Sequence, residues 1–72
     1  MRLHKRFLTL HGHRTSLALE PEFWEALEEI ARDRALSLAA TVTQIDDNHT
    51  SDAVLTSAVR LAVLAHYRET RH

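Results

Sequence analysis

The chain has 72 residues, no cysteine and a formal net charge of −1. A domain of this size buries little surface, and this one lacks disulfides and cysteine-based zinc sites, so pairing with a second copy is the expected source of extra stability. The longest apolar run, residues 61–65, is far shorter than the ~20 residues that span a membrane. No apolar segment follows the basic N-terminus as it would in a signal peptide. We therefore expect a cytoplasmic protein with no membrane partner.

Charge is distributed unevenly along the chain. Residues 1–19 carry four basic and no acidic side chains, whereas residues 20–72 carry five arginines and ten acids. A basic end on an acidic body favours a polyanion that is contacted from one end. We divide the chain into a basic N-terminal arm (1–12), a folded domain (13–68) and a short tail (69–72).

A strand is predicted over residues 13–19, between the glycine at 12 and the proline at 21. Its side chains alternate with the period of a strand that has one buried face. One set is Thr15, Leu17 and Leu19; the other is Arg14, Ser16 and Ala18. An intrachain hairpin is possible, in which residues 6–10 pair back with this strand through a His-Gly turn. We rank it second because that turn is weaker than Asn-Gly.

Two helices should follow the strand. The first runs from about Pro21 to Arg34, since proline suits the first helical position and an apolar stripe recurs at helical spacing. After a tight turn, Ser37 is the expected N-cap of a second helix that reaches about Asp46.

A third helix is predicted after a polar break at residues 46–49. Thr50 or Ser51 is the expected cap, and the helix should end near Arg68. It is apolar on nearly every side, and such a helix must be buried. Because a monomer of this length has no interior wide enough to enclose it, the pattern predicts a dimer.

The order of strand, helix, tight turn with serine and helix resembles the ribbon-helix-helix (Arc/MetJ-like) superfamily of small bacterial proteins. The resemblance is carried by residues 14–31, by Leu36-Ser37-Leu38 and by residues 55–68. It implies a mainly α fold with one short strand, in which two copies form an intertwined homodimer. Their strands pair as a two-stranded antiparallel ribbon between subunits, here with an additional C-terminal helix. Pairing of dimers into tetramers stays open.

The resemblance also implies a DNA-binding transcriptional regulator whose ribbon enters the major groove of double-stranded DNA. The residues expected to contact bases are Arg14, Ser16 and Ala18. Those expected to contact phosphates are Ser37 and Leu38, at the start of the second helix, with Lys5 and Arg6. The expected dimer core is Leu17, Leu19, Phe23, Leu27, Ile30, Val42 and Ile45.

Two positions depart from the usual pattern of that superfamily. Ala18 stands where relatives place a polar or basic side chain, and it can touch only a thymine methyl group. Ala35 stands where a glycine is common before the Leu-Ser pair. We therefore expect limited base selectivity from the end of the strand and a strained or unusual turn after the first helix.

Other functions fit the sequence less well. Six histidines are present, but we expect no metal site and no cofactor, and no arrangement of residues indicates an enzyme. The alternative function is a protein-interaction and dimerisation module, such as an antitoxin-like partner-binding protein with little DNA binding. A stoichiometric partner protein and no DNA shift at low salt would favour that alternative.

Overall fold

The structure is a computed structural model that describes residues 2–48 and 54–70. Its elements in chain order are β1 (His4–Leu10), β2 (His13–Leu19), α1 (Pro21–Asp33), α2 (Leu38–Asn48) and α3 (Leu55–Glu69). The predicted architecture, a ribbon followed by helices with an additional C-terminal helix, is confirmed. Among the described residues, no helix is long and apolar enough to cross a membrane.

β1 and β2 form an antiparallel hairpin within one chain. The two-residue loop between them is His11-Gly12, and both residues have positive φ, 53° and 78°. Positive φ at both central positions is the geometry of a type I′ turn, whose twist matches that of paired strands. The hairpin that we ranked second is therefore the pairing present in the single chain, and the structure adds β1 to the one predicted strand. Pairing of the other edge of β2 with a second copy stays a prediction.

The register of the hairpin gives it two faces. Arg6 lies opposite Leu17, and Phe7 lies opposite Ser16. Because directly opposed residues share a face, the inner face carries the buried Leu10, Leu17 and Leu19. What we call the outer face consists of Lys5, Phe7, Thr9, Arg14, Ser16 and Ala18. The alternation predicted for β2 is confirmed.

α1 packs an apolar side against the inner face of the hairpin. Trp24, Leu27 and Ile30 are buried, whereas Phe23 is half-buried and packs at the edge of the core. The helix begins at Pro21 as predicted and ends one residue before the predicted position. The apolar spacing of the sequence therefore places α1 correctly.

The turn after α1 is a Schellman motif with alanine at its left-handed position. The Leu36 N–H donates to the Ala31 carbonyl at 2.9 Å, and the Ala35 N–H donates to the Arg32 carbonyl at 3.1 Å. Ala35 has a φ of 56°, a conformation that costs an L-residue with a Cβ about 1 kcal/mol or more. The strain expected from the missing glycine is therefore present.

α2 begins with the predicted cap. The Ala40 N–H donates to Ser37 Oγ at 3.0 Å. The buried Thr41 hydroxyl donates to the Ser37 carbonyl at 2.9 Å, so this polar group is satisfied inside the core. α2 includes the predicted end at Asp46 and continues to Asn48, so the predicted polar break is wrong for residues 47 and 48. Residue 49 lies outside the described residues.

α3 is buried on one side only. Ala58, Val59 and Val63 face the core, while Leu61 is 63% exposed and Leu64 is 53% exposed. The predicted caps at residues 50 and 51 lie outside the described residues, and within them α3 starts at Leu55. One chain therefore does not cover this helix, and the dimer that we expected from its apolar pattern stays a prediction.

The residues predicted for a dimer core lie together in the core of the single chain. The buried members are Leu17, Leu19, Leu27, Ile30, Val42 and Ile45, with Phe23 packed against them. They hold the hairpin on the three helices and so fix the orientation of the outer face. Their contribution to an interface between two copies stays a prediction.

Candidate nucleic-acid interface

The three residues predicted to contact bases share the outer face of the hairpin. Arg14 and Ser16 are exposed, and Ala18 is half-buried. The buried Leu17 and Leu19 point to the opposite side because side chains alternate along a strand. Burial of the leucines therefore forces Arg14 and Ser16 outward.

β1 adds three more side chains to the same face. Lys5 lies opposite Ala18, Phe7 opposite Ser16, and Thr9 opposite Arg14. Lys5 was predicted to contact phosphate, and the structure places it beside the predicted base-contacting residues. The six outer-face residues include two cations and no acid, in a chain whose net charge is negative.

Phe7 was not singled out from the sequence. Its side chain is 55% exposed, with the Arg14 guanidinium carbon 4.2 Å and the Lys5 ammonium 6.0 Å from the ring centroid. The sequence signal that could have identified Phe7 is that residues 5, 7 and 9 lie on one face of a strand. That face can be matched to Arg14 and Ser16 only when the hairpin register is known. The outer face is therefore a cationic surface built around an aromatic ring.

Arg6 points to the other side of the hairpin. Its Nη1 lies 3.1 Å from Glu28 Oε2 on α1, and its guanidinium carbon lies 4.6 Å from the Trp24 ring. The structure does not bring Arg6 together with Lys5. Its contact with a phosphate stays a prediction, and it would require the pair with Glu28 to open.

The start of α2 holds the other predicted phosphate contacts. Ser37 is exposed and Leu38 is half-buried. The first turn of α2 carries no acidic side chain, so only the positive end of the helix dipole and the main-chain N–H groups act there. Contact of Ser37 and Leu38 with a phosphate stays a prediction.

An ion pair fixes the junction between β2 and α1. Arg60 Nη2 on α3 lies 2.6 Å from Glu20 Oε1, and this hydrogen bond lowers the pKa of the Glu20 carboxyl. The Arg60 guanidinium carbon also lies 5.4 Å from the Phe23 ring. α3 thereby holds the end of the strand that carries Arg14 and Ser16.

One group of potential metal ligands occurs among the described residues, at the hairpin turn. Atoms of His11, Asp46 and Asp47 lie within 4.8 Å of one another. His11 Nε2 is 2.8 Å from Asp47 Oδ1, a contact that joins the turn to α2. We assign this group to positioning of the hairpin.

Comparison with known proteins gives a match to one family. The profile described as "Ribbon-helix-helix domain" matches residues 3–67. No curated protein and no solved structure matches the chain significantly. The matched residues include both strands, α1, α2 and most of α3.

Proposed function

Since the chain belongs to the ribbon-helix-helix domain family over residues 3–67, we propose that it is a transcriptional regulator that reads DNA with the outer face of its hairpin. The family is one of DNA-binding regulators that usually act as dimers and are typically not enzymes. The observation that carries the proposal is the outer face itself. It exposes Arg14 and Ser16 beside Lys5 and contains no acid.

Base readout falls mainly on Arg14. An arginine can donate two hydrogen bonds to guanine O6 and N7 in the major groove, which discriminates by roughly 1–3 kcal/mol. Ser16 can donate or accept and so discriminates less, and Ala18 offers only a methyl group. We expect a short or degenerate operator centred on guanines that Arg14 contacts.

A second copy would complete the reading surface at the other edge of β2. Within the described residues, β2 pairs only with β1. Leu10 and His13 close the two-residue turn and form a hydrogen-bonded pair, and such pairs alternate along an antiparallel ladder. The main-chain groups of Arg14, Ser16 and Ala18 therefore point to the other edge. We propose that this edge pairs with β2 of the second copy, with Ser16 at the two-fold axis because it is the middle residue of β2.

The resulting sheet has the order β1–β2–β2–β1, and its central pair matches the two-stranded ribbon that a major groove admits. Strands lie about 4.8 Å apart, so the two outer β1 strands would be about 14 Å apart, against a groove about 12 Å wide. The central β2 pair would enter the groove, and the β1 strands would lie along its walls. Lys5 on β1 would then be close to phosphates, which position the protein without reading sequence.

The proposal is tested by using the full chain to select the duplexes that it binds from a random pool. The molar mass of the protein in solution is measured alongside, to show whether it is a dimer. Arg14→Ala should weaken binding to the selected duplex at least about fivefold and leave the dimer mass unchanged. Arg68→Ala, an exposed arginine of α3, removes the same charge elsewhere and should change affinity less than about twofold. Equal affinities of wild type and Arg14→Ala for the selected duplex would contradict the proposal.

The exposed side of α3 favours a second candidate function. Leu61 and Leu64, one helical turn apart on α3, are more than half exposed, so a partner protein would find apolar side chains to cover there. In this alternative the chain is an antitoxin-like interaction module with little DNA binding. Purification with a stoichiometric partner, and no DNA shift at low salt, would favour it over the regulator.

A further inference from the structure

We infer that Phe7 is a positioning residue for Arg14 and thereby sets the base selectivity of the outer face. The inference rests on the proposed function. Phe7 lies on β1, whereas the residues predicted from the sequence to contact bases lie on β2. In this role Phe7 does not need to touch a base. Its ring would hold the guanidinium that does.

The geometry supports a direct contact between the two side chains. Phe7 lies opposite Ser16, so Arg14 is its diagonal neighbour across the hairpin, a distance that long and aromatic side chains bridge. The guanidinium carbon of Arg14 is 4.2 Å from the ring centroid, well inside the ~6 Å range of a cation–π contact. Lys5 Nζ, at 6.0 Å, is at the limit of that range. Of the two cations, Arg14 is therefore the one that the ring holds.

The exposure of Phe7 requires an explanation. The ring is 55% exposed, while β1 places Leu10 on the inner face with a buried side chain. A phenylalanine at an outward strand position gains little from burial in the core. The cation–π contact with Arg14 gives the ring a neighbour, and it also gives the guanidinium a surface against which to order.

Ordering matters because readout depends on the direction of the guanidinium. A free arginine samples many rotamers, and a two-bond contact with guanine requires one orientation. A guanidinium in cation–π contact with a ring makes no hydrogen bond to it through this contact, so its N–H donors stay available. The ring thus restricts Arg14 without consuming the donors that meet guanine O6 and N7. Since Ser16 and Ala18 discriminate weakly, a change in the order of Arg14 changes most of the selectivity.

The test uses Phe7→Leu and Phe7→Tyr in the full chain, each also combined with Arg14→Ala. Leucine keeps an apolar side chain without a π face, and tyrosine keeps the face. Affinity is measured for the selected duplex and for one in which the guanine that Arg14 selects is replaced. Phe7→Leu should lower the ratio of the two affinities roughly two- to fivefold. Phe7→Tyr should retain the ratio, and Phe7→Leu should have no effect on it in the Arg14→Ala chain.

A measurement without DNA separates this inference from the proposed function. In the free protein, the ring should shift the Arg14 side-chain proton resonances upfield, and Phe7→Leu should abolish the shift. A wild type that discriminates between the duplexes while Phe7→Leu discriminates equally overturns the inference alone. The same loss of ratio in the Arg14→Ala chain also overturns it, because Phe7 would then contact DNA itself. A wild type that binds no duplex overturns the proposed function, and the positioning role with it.

Discussion

Trp24 on α1 donates its indole N–H to the main-chain carbonyl of His4 at the start of β1, with 2.8 Å between nitrogen and oxygen. The indole is only 1% exposed, and the guanidinium of Arg6 lies over it at 4.6 Å. At the other end of the hairpin, His11 contacts Asp47 of α2. The hairpin is thus tied to the helices at both ends, which holds the outer face in a fixed orientation.

Replacement of Trp24 by phenylalanine tests the first of these ties. The variant loses the N–H donor, leaves the His4 carbonyl without this partner and loses part of the buried ring. We expect a loss of about 1–3 kcal/mol in the free energy of unfolding, measured by urea titration. Tyr67→Phe is the matched control, since the Tyr67 hydroxyl donates to Glu29 at an exposed position and its removal should cost less than about 0.5 kcal/mol. If Trp24→Phe and wild type unfold at the same urea concentration, the hydrogen bond from Trp24 to the His4 carbonyl does not stabilise the fold.

Two residues with positive φ, Ala35 and Gly12, lead to opposite predictions for stability: introducing glycine at the first should stabilise the fold, and replacing glycine at the second should destabilise it. Ala35 has a φ of 56° at the left-handed position of the Schellman turn, so Ala35→Gly should raise the free energy of unfolding by about 0.5–1 kcal/mol. Gly12 has a φ of 78° with nothing within 4 Å of an added Cβ. Gly12→Ala should therefore lower stability by about 1 kcal/mol through backbone strain alone. Thermal unfolding of both variants measures the signs, and a stabilising Gly12→Ala would argue against the type I′ turn.

The ion pair between Glu20 and Arg60 predicts a stability that depends on pH. The hydrogen bond from Arg60 lowers the pKa of Glu20 below its ordinary value of 4.5. A carboxyl with a lower pKa in the folded state stabilises the fold above its unfolded pKa, and the contribution is lost as the pH falls through the folded pKa. The difference in Tm between wild type and Glu20→Gln should therefore be largest above about pH 5 and shrink in acid. Glu25→Gln on the exposed side of α1 is the control, and a Glu20→Gln difference that is constant down to pH 2 would exclude the mechanism.

The proposed pairing of β2 with a second copy predicts a specific cross-link. If Ser16 lies at the two-fold axis as a hydrogen-bonded pair, its two Cα atoms are about 5.5 Å apart, a distance that a disulfide spans. The chain has no cysteine, so Ser16→Cys introduces a single thiol. Under mild oxidation it should form a covalent dimer, detected by non-reducing electrophoresis. Thr9→Cys lies on β1 of the same face, with two strands between it and its copy, and should stay uncross-linked. Equal cross-linking of both variants would refute the register.

The sequence predicted the elements whose side chains repeat with a clear period. The alternation of residues 13–19 gave β2 and its buried face, and Pro21 with the apolar spacing gave α1. β1 was assigned to a basic arm because lysine, arginine and histidine obscure its alternation, and because His-Gly is a weak turn signal. Positive φ at His11 shows that the turn forms regardless.

Contacts between distant residues were beyond sequence reasoning. Arg6 and Glu28 lie 22 positions apart, and neither sequence segment indicates that the two side chains form an ion pair. Phe7 acquires its neighbours only through the register that sets it opposite Ser16. The order of elements was therefore predictable, but the composition of the outer face depended on which strands pair.

Because the hairpin closes within one chain, a single continuous stretch of the gene encodes the whole outer face. All six outer-face side chains come from residues 5–18, and the helices serve as their platform. Under the proposed function, exchange of residues 5–18 between related proteins would transfer the DNA preference while the helices stay unchanged. Under the proposed function, changes in a few neighbouring codons would be enough to alter the DNA sequence that the protein prefers.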